Sequence, residues 1–171
     1  MRSARGVIAY PIGSSGQELQ FSDAVLEHLW RFRQRRFWAA EAGGQLFGRL
    51  YGTVVSITAA TGPRPRDVRT PWSYEPCRED EQAEIDEMHR DGLLFLGDWH
   101  THKQRRPRPS QQDRRNVVEI VRKSHHAMNG LLMVIVGTVR APSGLFVSVC
   151  DGEELHELNS GDGAGASHGL E

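Results

Sequence analysis

His100, His102, Ser110 and Asp113 fall within one short window of the chain, and their types and spacing suit a metal centre. Two imidazoles two positions apart on an extended segment leave the same face of a strand. Phe95-Leu96 just upstream is apolar and reads as the core of that strand. The run that follows, Arg105-Arg106-Pro107-Arg108-Pro109, is stiff. Each proline fixes its own φ and keeps the residue before it out of the helical region. Ser110 is then a natural helix N-cap, and Asp113 lies in the first turn behind it. A strand carrying two His and a helix start carrying an Asp can converge on one ion. Three protein ligands plus a water is the pattern of a catalytic zinc site, in which the water is the reagent. A lone His-x-His is weak evidence. The Ser and the Asp at these spacings, behind two prolines, make the combination specific.

The elements that must position these residues alternate loosely between strand and helix. Residues 6–10 form a short apolar strand ended by Pro11, and 13–16 a turn. Ser22-Asp23 opens a helix with Val25, Leu26, Leu29 and Trp30 on one stripe; Arg31, Arg33, Arg35 and Arg36 close it with positive charge. Residues 45–51 and 53–59 are paired strands. Gly43-Gly44 before them is either a close backbone approach beside the site or a plain loop. Residues 62–80 are rich in Pro and Arg and read as a long loop. In it, Trp72 and Tyr74 either dock the loop onto the core or wall a substrate groove, and Cys77 is a spectator.

Residues 79–91 are a helix with Ala83, Ile85 and Met88 inward, ended by Gly92, with His89 at the surface. Residues 93–99 are the buried strand that delivers the two His. Thr101 points away from the site and packs, and Asp98 is expected on the face opposite His100's neighbours. Residues 110–125 are a helix with Val117, Val118, Ile120 and Val121 inward. Residues 131–139 are a central strand, paired with 145–151. After His156 the chain turns to Gly, Ser, Ala and acidic residues, so 1–155 is read as one domain and 156–171 as a disordered tail. This order of elements argues for an α/β fold with a mixed sheet flanked by helices.

The whole chain, 171 residues with 21 basic and 22 acidic side chains, suits a single domain with a real core. Its balanced charge gives no global drive toward nucleic acid or a membrane surface. Two Cys can make neither a zinc ribbon nor a disulfide framework. No apolar run approaches the roughly 20 residues of a membrane span. No apolar core follows the N-terminal Arg residues, so a signal peptide is not expected and a cytoplasmic protein is.

His100-x-His102-x₇-Ser110-x₂-Asp113 resembles the JAMM motif of the JAB/MPN metalloproteases. Glu41-Ala42-Gly43-Gly44-Gln45-Leu46-Phe47-Gly48 resembles that family's Glu followed by a Gly-rich strand. The resemblance spans roughly residues 20–150 and departs at Lys103, where many members carry Pro. Leu96-Gly97-Asp98-Trp99-His100-Thr101-His102 is most similar to a bacterial branch that includes the deconjugating protease of type II CBASS anti-phage operons. The resemblance implies a single-domain, MPN-like (cytidine-deaminase-like) α/β fold with a curved, mixed, mostly antiparallel sheet flanked by helices. It implies one zinc ion on His100, His102 and Asp113. Glu41 would be the general base that takes the water's proton and passes it on, and Ser110 would hold the developing oxyanion. The implied activity is a zinc isopeptidase cleaving at the C-terminus of a ubiquitin-like modifier or its conjugate.

Two neighbouring readings stay open: a peptidase trimming a sulfur-carrier protein or a small peptide, and a non-catalytic MPN scaffold. Inactive members usually lack one or more motif residues, whereas all five candidates stand here. A third class is nucleic-acid binding through Arg64, Arg66, Arg69, Arg105, Arg106, Arg108, Arg114 and Arg115. No stacking aromatics interleave with residues 105–115, so neither nucleic acid nor membrane is expected as a partner. The loops at 62–79 and 103–109 would flank the scissile bond.

Overall fold

The sheet that carries the two His takes most of its strands from apolar, β-branched segments whose two faces are claimed by different helices. A computed structural model describes residues 7–124 and 129–161. The elements in chain order are β1 (Ala9–Ile12), β2 (Gln17–Phe21), α1 (Asp23–Arg31), β3 (Gly43–Tyr51) and β4 (Val54–Ala60). A small hairpin, β5 (Val68–Thr70) and β6 (Ser73–Glu75), precedes α2 (Arg78–Arg90) and β7 (Leu94–Thr101). Then come α3 (Gln111–Lys123), β8 (Leu131–Val136), β9 (Leu145–Cys150) and β10 (Leu155–Leu158).

Eight strands form one mixed sheet in the order β1-β2-β4-β3-β7-β8-β9-β10. The pairs β2–β4 and β7–β8 are parallel and the other five antiparallel. The sheet curls enough for the outermost strands, β1 and β10, to touch. A parallel neighbour needs a crossover. Between β7 and β8 that crossover contains the proline loop and α3, so the connection itself brings Asp113 back over the end of β7.

Alternation sorts the core into two layers. Leu132, Val134 and Val136 of β8 join Trp99 of β7 and Val25 and Leu29 of α1 in one cluster. Leu131, Met133 and Ile135 face the other way, onto Val117 and Val121 of α3. All six residues of β8 are buried, which explains the unbroken apolar run. Ser22 caps α1 by accepting from the Val25 N–H at 3.3 Å. Gly97 has φ +145°, and a Cβ there would lie 2.1 Å from the Leu132 carbonyl oxygen. Only glycine lets β7 and β8 close up just before the two His.

Several boundaries differ from the sequence reading. Pro11 lies inside β1 rather than ending it, which an edge strand tolerates. β2 is a strand that its polar composition hid, and the loop 62–80 contains the β5–β6 hairpin. α1 stops at Arg31, so Arg33, Arg35 and Arg36 lie beyond its end. Ala83 is exposed, and the only fully buried side chain of α2 is Glu81. β8 ends at Val136, three residues early. α3 ends at Lys123, and His125 lies outside the described residues. The segment expected to leave the fold at residue 156 instead pairs with β9 through Leu158, because its Leu155 and Leu158 find the sheet edge. Residues 162–171 of that expected tail lie outside the described residues. No helix among the described residues is long and apolar enough to cross a membrane.

Candidate metal centre

β7 runs through Thr101, and the His102 N–H still donates to the Val136 carbonyl at 2.9 Å, so both His stand on extended backbone. Thr101 between them turns inward as expected. It is buried, accepts from the Ala42 N–H at 3.0 Å and donates to Gln34 Oε1 at 3.3 Å. The His100 and His102 rings sit side by side, 4.9 Å between centroids. α3 opens with a capping box: Ser110 Oγ accepts from the Asp113 N–H at 3.1 Å, and Asp113 Oδ2 accepts from the Ser110 N–H at 2.6 Å. The box fixes the Asp113 carboxylate with Oδ1 3.3 Å from His100 Nε2 and Oδ2 3.4 Å from His102 Nε2. One donor atom from each of the three lies within 4.8 Å of the others.

The donors are prepared for an ion. His102 Nδ1 is 3.0 Å from the Arg108 carbonyl oxygen, which only accepts. Nδ1 therefore carries the proton, and the Nε2 lone pair faces the centre. His100 Nε2 is buried with no hydrogen-bond partner among the described residues. A buried nitrogen left without a partner is costly unless something else occupies it. Two imidazoles and a carboxylate are a zinc donor set, so the residues fit the metal the sequence implied.

Burial alone would raise the Asp113 carboxyl. The neighbouring His100 and His102, together with Ser110, outweigh it and hold the group well below the usual carboxylate range. His102 shows the reverse. Burial would lower it, but Asp113, Glu41 and the Arg108 carbonyl push it above an ordinary imidazole. Protons compete with a metal at this imidazole as soon as the pH falls.

Glu41 stands two residues ahead of β3, whose Gly43 lies opposite His100 in the ladder. Its backbone is clamped on both sides: its N–H donates to the Thr70 carbonyl at 2.8 Å, and its carbonyl accepts from Arg69 Nε at 2.6 Å. Burial raises its carboxyl. His100, His102 and Lys103 oppose the rise, and Asp113 adds to it. Glu41, His100, His102, Ser110 and Asp113 all line one cleft of about 460 Å³. The structure thus brings together all five candidates. Gly43-Gly44 takes the first of its two readings. Both lie in β3, and a Cβ on Gly43 would meet the Tyr74 ring at 2.4 Å, one on Gly44 the Thr61 carbonyl at 1.9 Å.

Sequence reasoning missed the cleft's other end. Asp98 was expected on the far face, yet it lines the same cleft as His100. Strand alternation required this, since positions 98 and 100 share a face. Its Oδ1 is buried without a hydrogen-bond partner among the described residues. Burial, together with repulsion from Glu81, pushes Asp98 up to about 7 against the pull of Arg78 and Arg64. Glu81 and Arg78 of α2 line this end, joined by a hydrogen bond of 2.7 Å.

Tyr74 and Trp72 also line the cleft; Tyr74 donates to Asp67 Oδ2 at 3.0 Å within its own loop, and its ring docks that loop against Gly43 of β3. Three arginines of the suspected basic set are engaged internally. Arg64 is buried against Gln45, Tyr74 and Glu84; Arg66 pairs with Glu79 and Asp80; Arg69 holds Glu41.

Comparison with known proteins shows the family. The family model for prokaryotic homologues of the JAB domain matches residues 22–149. A CD-NTase/cGAS isopeptidase of Escherichia coli (strain TW11681) is 31% identical over 117 residues, covering 66% of this chain and 72% of that protein. A probable metalloprotease, y4qB, of Sinorhizobium fredii is 32% identical over 124 residues, covering 70% of this chain and 68% of that one. The solution structure of protein DSY2949 from Desulfitobacterium hafniense has the same fold, with a TM-score of 0.58 at 18% identity over 80% of this chain and 87% of that one.

Proposed function

Because the chain belongs to the prokaryotic JAB-domain family and is a peptidase of that kind, we propose that it is a zinc-dependent isopeptidase acting at the C-terminus of a ubiquitin-like modifier or its conjugate. The observation that carries the reading is the convergence of His100, His102 and Asp113 on one point, in a cleft that also presents Glu41. A bound zinc ion would supply Lewis acidity, acidifying water and polarising the amide carbonyl. His100 Nε2, His102 Nε2 and Asp113 would hold it. Glu41, half-buried and raised, can accept a proton from water and hand it to the departing amine. Ser110, at the mouth of the helix, can donate to the oxyanion while its N–H stays on Asp113. A lysine amine is a poor leaving group, so proton delivery by Glu41 matters as much as attack.

The relatives named isopeptidases favour cleavage of a conjugate over trimming of a sulfur-carrier protein or a small peptide. The complete set of five site residues argues against a non-catalytic scaffold. The test is release of a ubiquitin-like protein from a lysine-linked conjugate by zinc-loaded protein, with and without chelator. Chelator-sensitive release is the expected result. Absence of release from every C-terminal amide tried, with one zinc bound per chain, would overturn the proposal.

A further inference from the structure

Three large aromatic rings are not used by the core: Trp72, which lines the cleft, and Phe37 and Trp38, linked to it through Lys103. Phe37 is 77%, Trp38 56% and Trp72 78% exposed. Phe37 and Trp38 belong to the connection between α1 and β3, and Trp72 to the turn between β5 and β6. Phe37 and Trp38 pack edge to face, 4.8 Å between centroids. Lys103, the residue after His102, joins the two loops. Its Nζ donates to the Phe37 carbonyl and lies 4.7 Å from the centre of the Trp72 ring.

These rings do not hang on free loops. Gln34, itself buried, donates to the Ala39 carbonyl at 2.8 Å and the Pro71 carbonyl at 3.2 Å. The Glu41 N–H to the Thr70 carbonyl, and Arg69 to the Glu41 carbonyl, add two further stitches. The two loops form one braced ledge. It is continuous with the metal cleft, because Pro71, Trp72 and Lys103 line both. Each such ring removes about 150–250 Å² from water when covered, and contiguous exposed apolar surface rimmed by charge marks a place of contact. The rim here is cationic: the Arg36 guanidinium lies 5.2 Å from the centre of the Trp38 ring, and Lys103 lines the cleft beside Trp72.

We propose that this ledge is an exosite for the folded body of the substrate protein, which presents an apolar patch edged by acidic groups while its extended tail lies in the cleft. The proposal rests on the peptidase reading of the cleft and adds the surface that would let it distinguish a folded substrate from a loose peptide. An extended tail spans at most about 3.3–3.6 Å per residue, so a short tail reaching the metal centre leaves its parent domain against the cleft rim. The ledge is the apolar part of that rim, and its cations select an acidic partner. Rigid aromatic rings lose little entropy on contact, as befits anchors.

The experiment uses the zinc-loaded full chain and two probes. One is an acidic ubiquitin-fold sulfur-carrier protein extended past its C-terminus by a short peptide. The other is the same C-terminal segment and extension as a free peptide. Phe37→Ser/Trp38→Ser should raise KM for the folded probe at least tenfold with kcat unchanged. It should leave the free peptide's cleavage within twofold and leave zinc content and melting temperature as in wild type. Arg36→Glu, which keeps both rings, should also raise KM for the folded probe. Equal effects of the double substitution on both probes, or no effect on either, would overturn the exosite. Cleavage of neither probe by wild type would count against the peptidase reading alone. The ledge is then judged by binding to the Glu41→Gln protein, where a folded probe bound no tighter than the free peptide overturns it. Concentration-dependent dimerisation abolished by the double substitution would assign the ledge to a second copy and also overturn the proposal.

Discussion

His102 Nδ1 lies 3.0 Å from the carbonyl oxygen of Arg108, and this contact aims a candidate metal donor from the backbone of a proline-stiffened loop. The loop is braced in turn. Arg108 N–H donates to Gln104 Oε1 at 2.7 Å, and the Thr138 N–H donates to the Gln104 carbonyl at 2.9 Å. Gly137 leaves the space it needs: a Cβ there would sit 2.5 Å from the Gln104 carbonyl oxygen and 2.7 Å from both the Arg105 carbonyl oxygen and Pro107 Cδ. Gly137→Ala should therefore push the loop and weaken zinc binding by about 10–100-fold, the usual effect of losing an outer partner of a ligating His. Chelator competition measures it, with circular dichroism to confirm the fold. Unchanged zinc affinity would mean that the loop does not orient His102.

Glu41→Gln should keep zinc and lose roughly 10²–10⁴-fold in turnover, the range for a lost general base. The amide keeps the shape, and the clamp from Thr70 and Arg69 is to the backbone and survives. Loss of zinc in this variant would make Glu41 a ligand or a prop; wild-type turnover would put the proton transfer elsewhere.

The convergence of His100, His102 and Asp113 is legible in the sequence because its parts are local. The two His share a strand face, and Ser110 and Asp113 are one helix turn apart. Asp98 is equally legible by the same alternation, which puts it on the face of His100 and not on the opposite one. The β5–β6 hairpin and β10 were not visible, because three- and four-residue strands carry little periodic signal. Nor was the burial of Arg64. An arginine in a Pro-rich run reads as solvated, and its partner Glu84 lies 20 residues away on a helix whose only buried side chain is also acidic.

Asp98 gives a pH-dependent stability with a definite sign. Its folded carboxyl is raised from 3.8 to about 7 by burial and by Glu81. Between those values the unfolded chain has lost the proton and the folded chain keeps it. Stability from this group therefore falls as pH rises through that window, and is restored below it. Asp98→Asn keeps the shape and cannot ionise. In metal-free protein it should flatten the fall and stabilise at pH 8 by about 1–3 kcal/mol, at roughly 1.4 kcal/mol per pH unit reduced by water entering an open cleft. Urea titrations at pH 4.5 and pH 8 give the answer. A variant no more stable than wild type at pH 8 would show that Asp98 is ionised and solvated in the fold.

Two arginines two positions apart in the same loop should behave in opposite ways. The Arg64 side chain is 5% exposed, hydrogen-bonds Gln45 at 3.3 Å and Tyr74 at 3.3 Å, and pairs with Glu84. It ties the loop to β3, to the hairpin and to α2 at once. Removing it leaves Glu84 and the Tyr74 hydroxyl facing a hole. Breaking a buried pair of this kind costs about 3–5 kcal/mol, which for a domain of this size lowers the melting temperature by on the order of 10 °C. Arg66 reaches Glu79 at 3.0 Å and Asp80 through Nε at 3.0 Å and Nη2 at 2.5 Å, but its own side chain is 57% exposed, that of Glu79 82% and that of Asp80 28%. Water replaces most of what such exposed pairs supply, so Arg66→Ala should melt close to wild type and well above Arg64→Ala. Arg64→Ala should also loosen Tyr74 from Gly43, which lies opposite His100, so its activity should fall even well below its melting temperature. Melting curves and zinc-loaded turnover on the two variants decide the matter. If both melt with wild type, Arg64 is not the tie that closes this wall of the cleft.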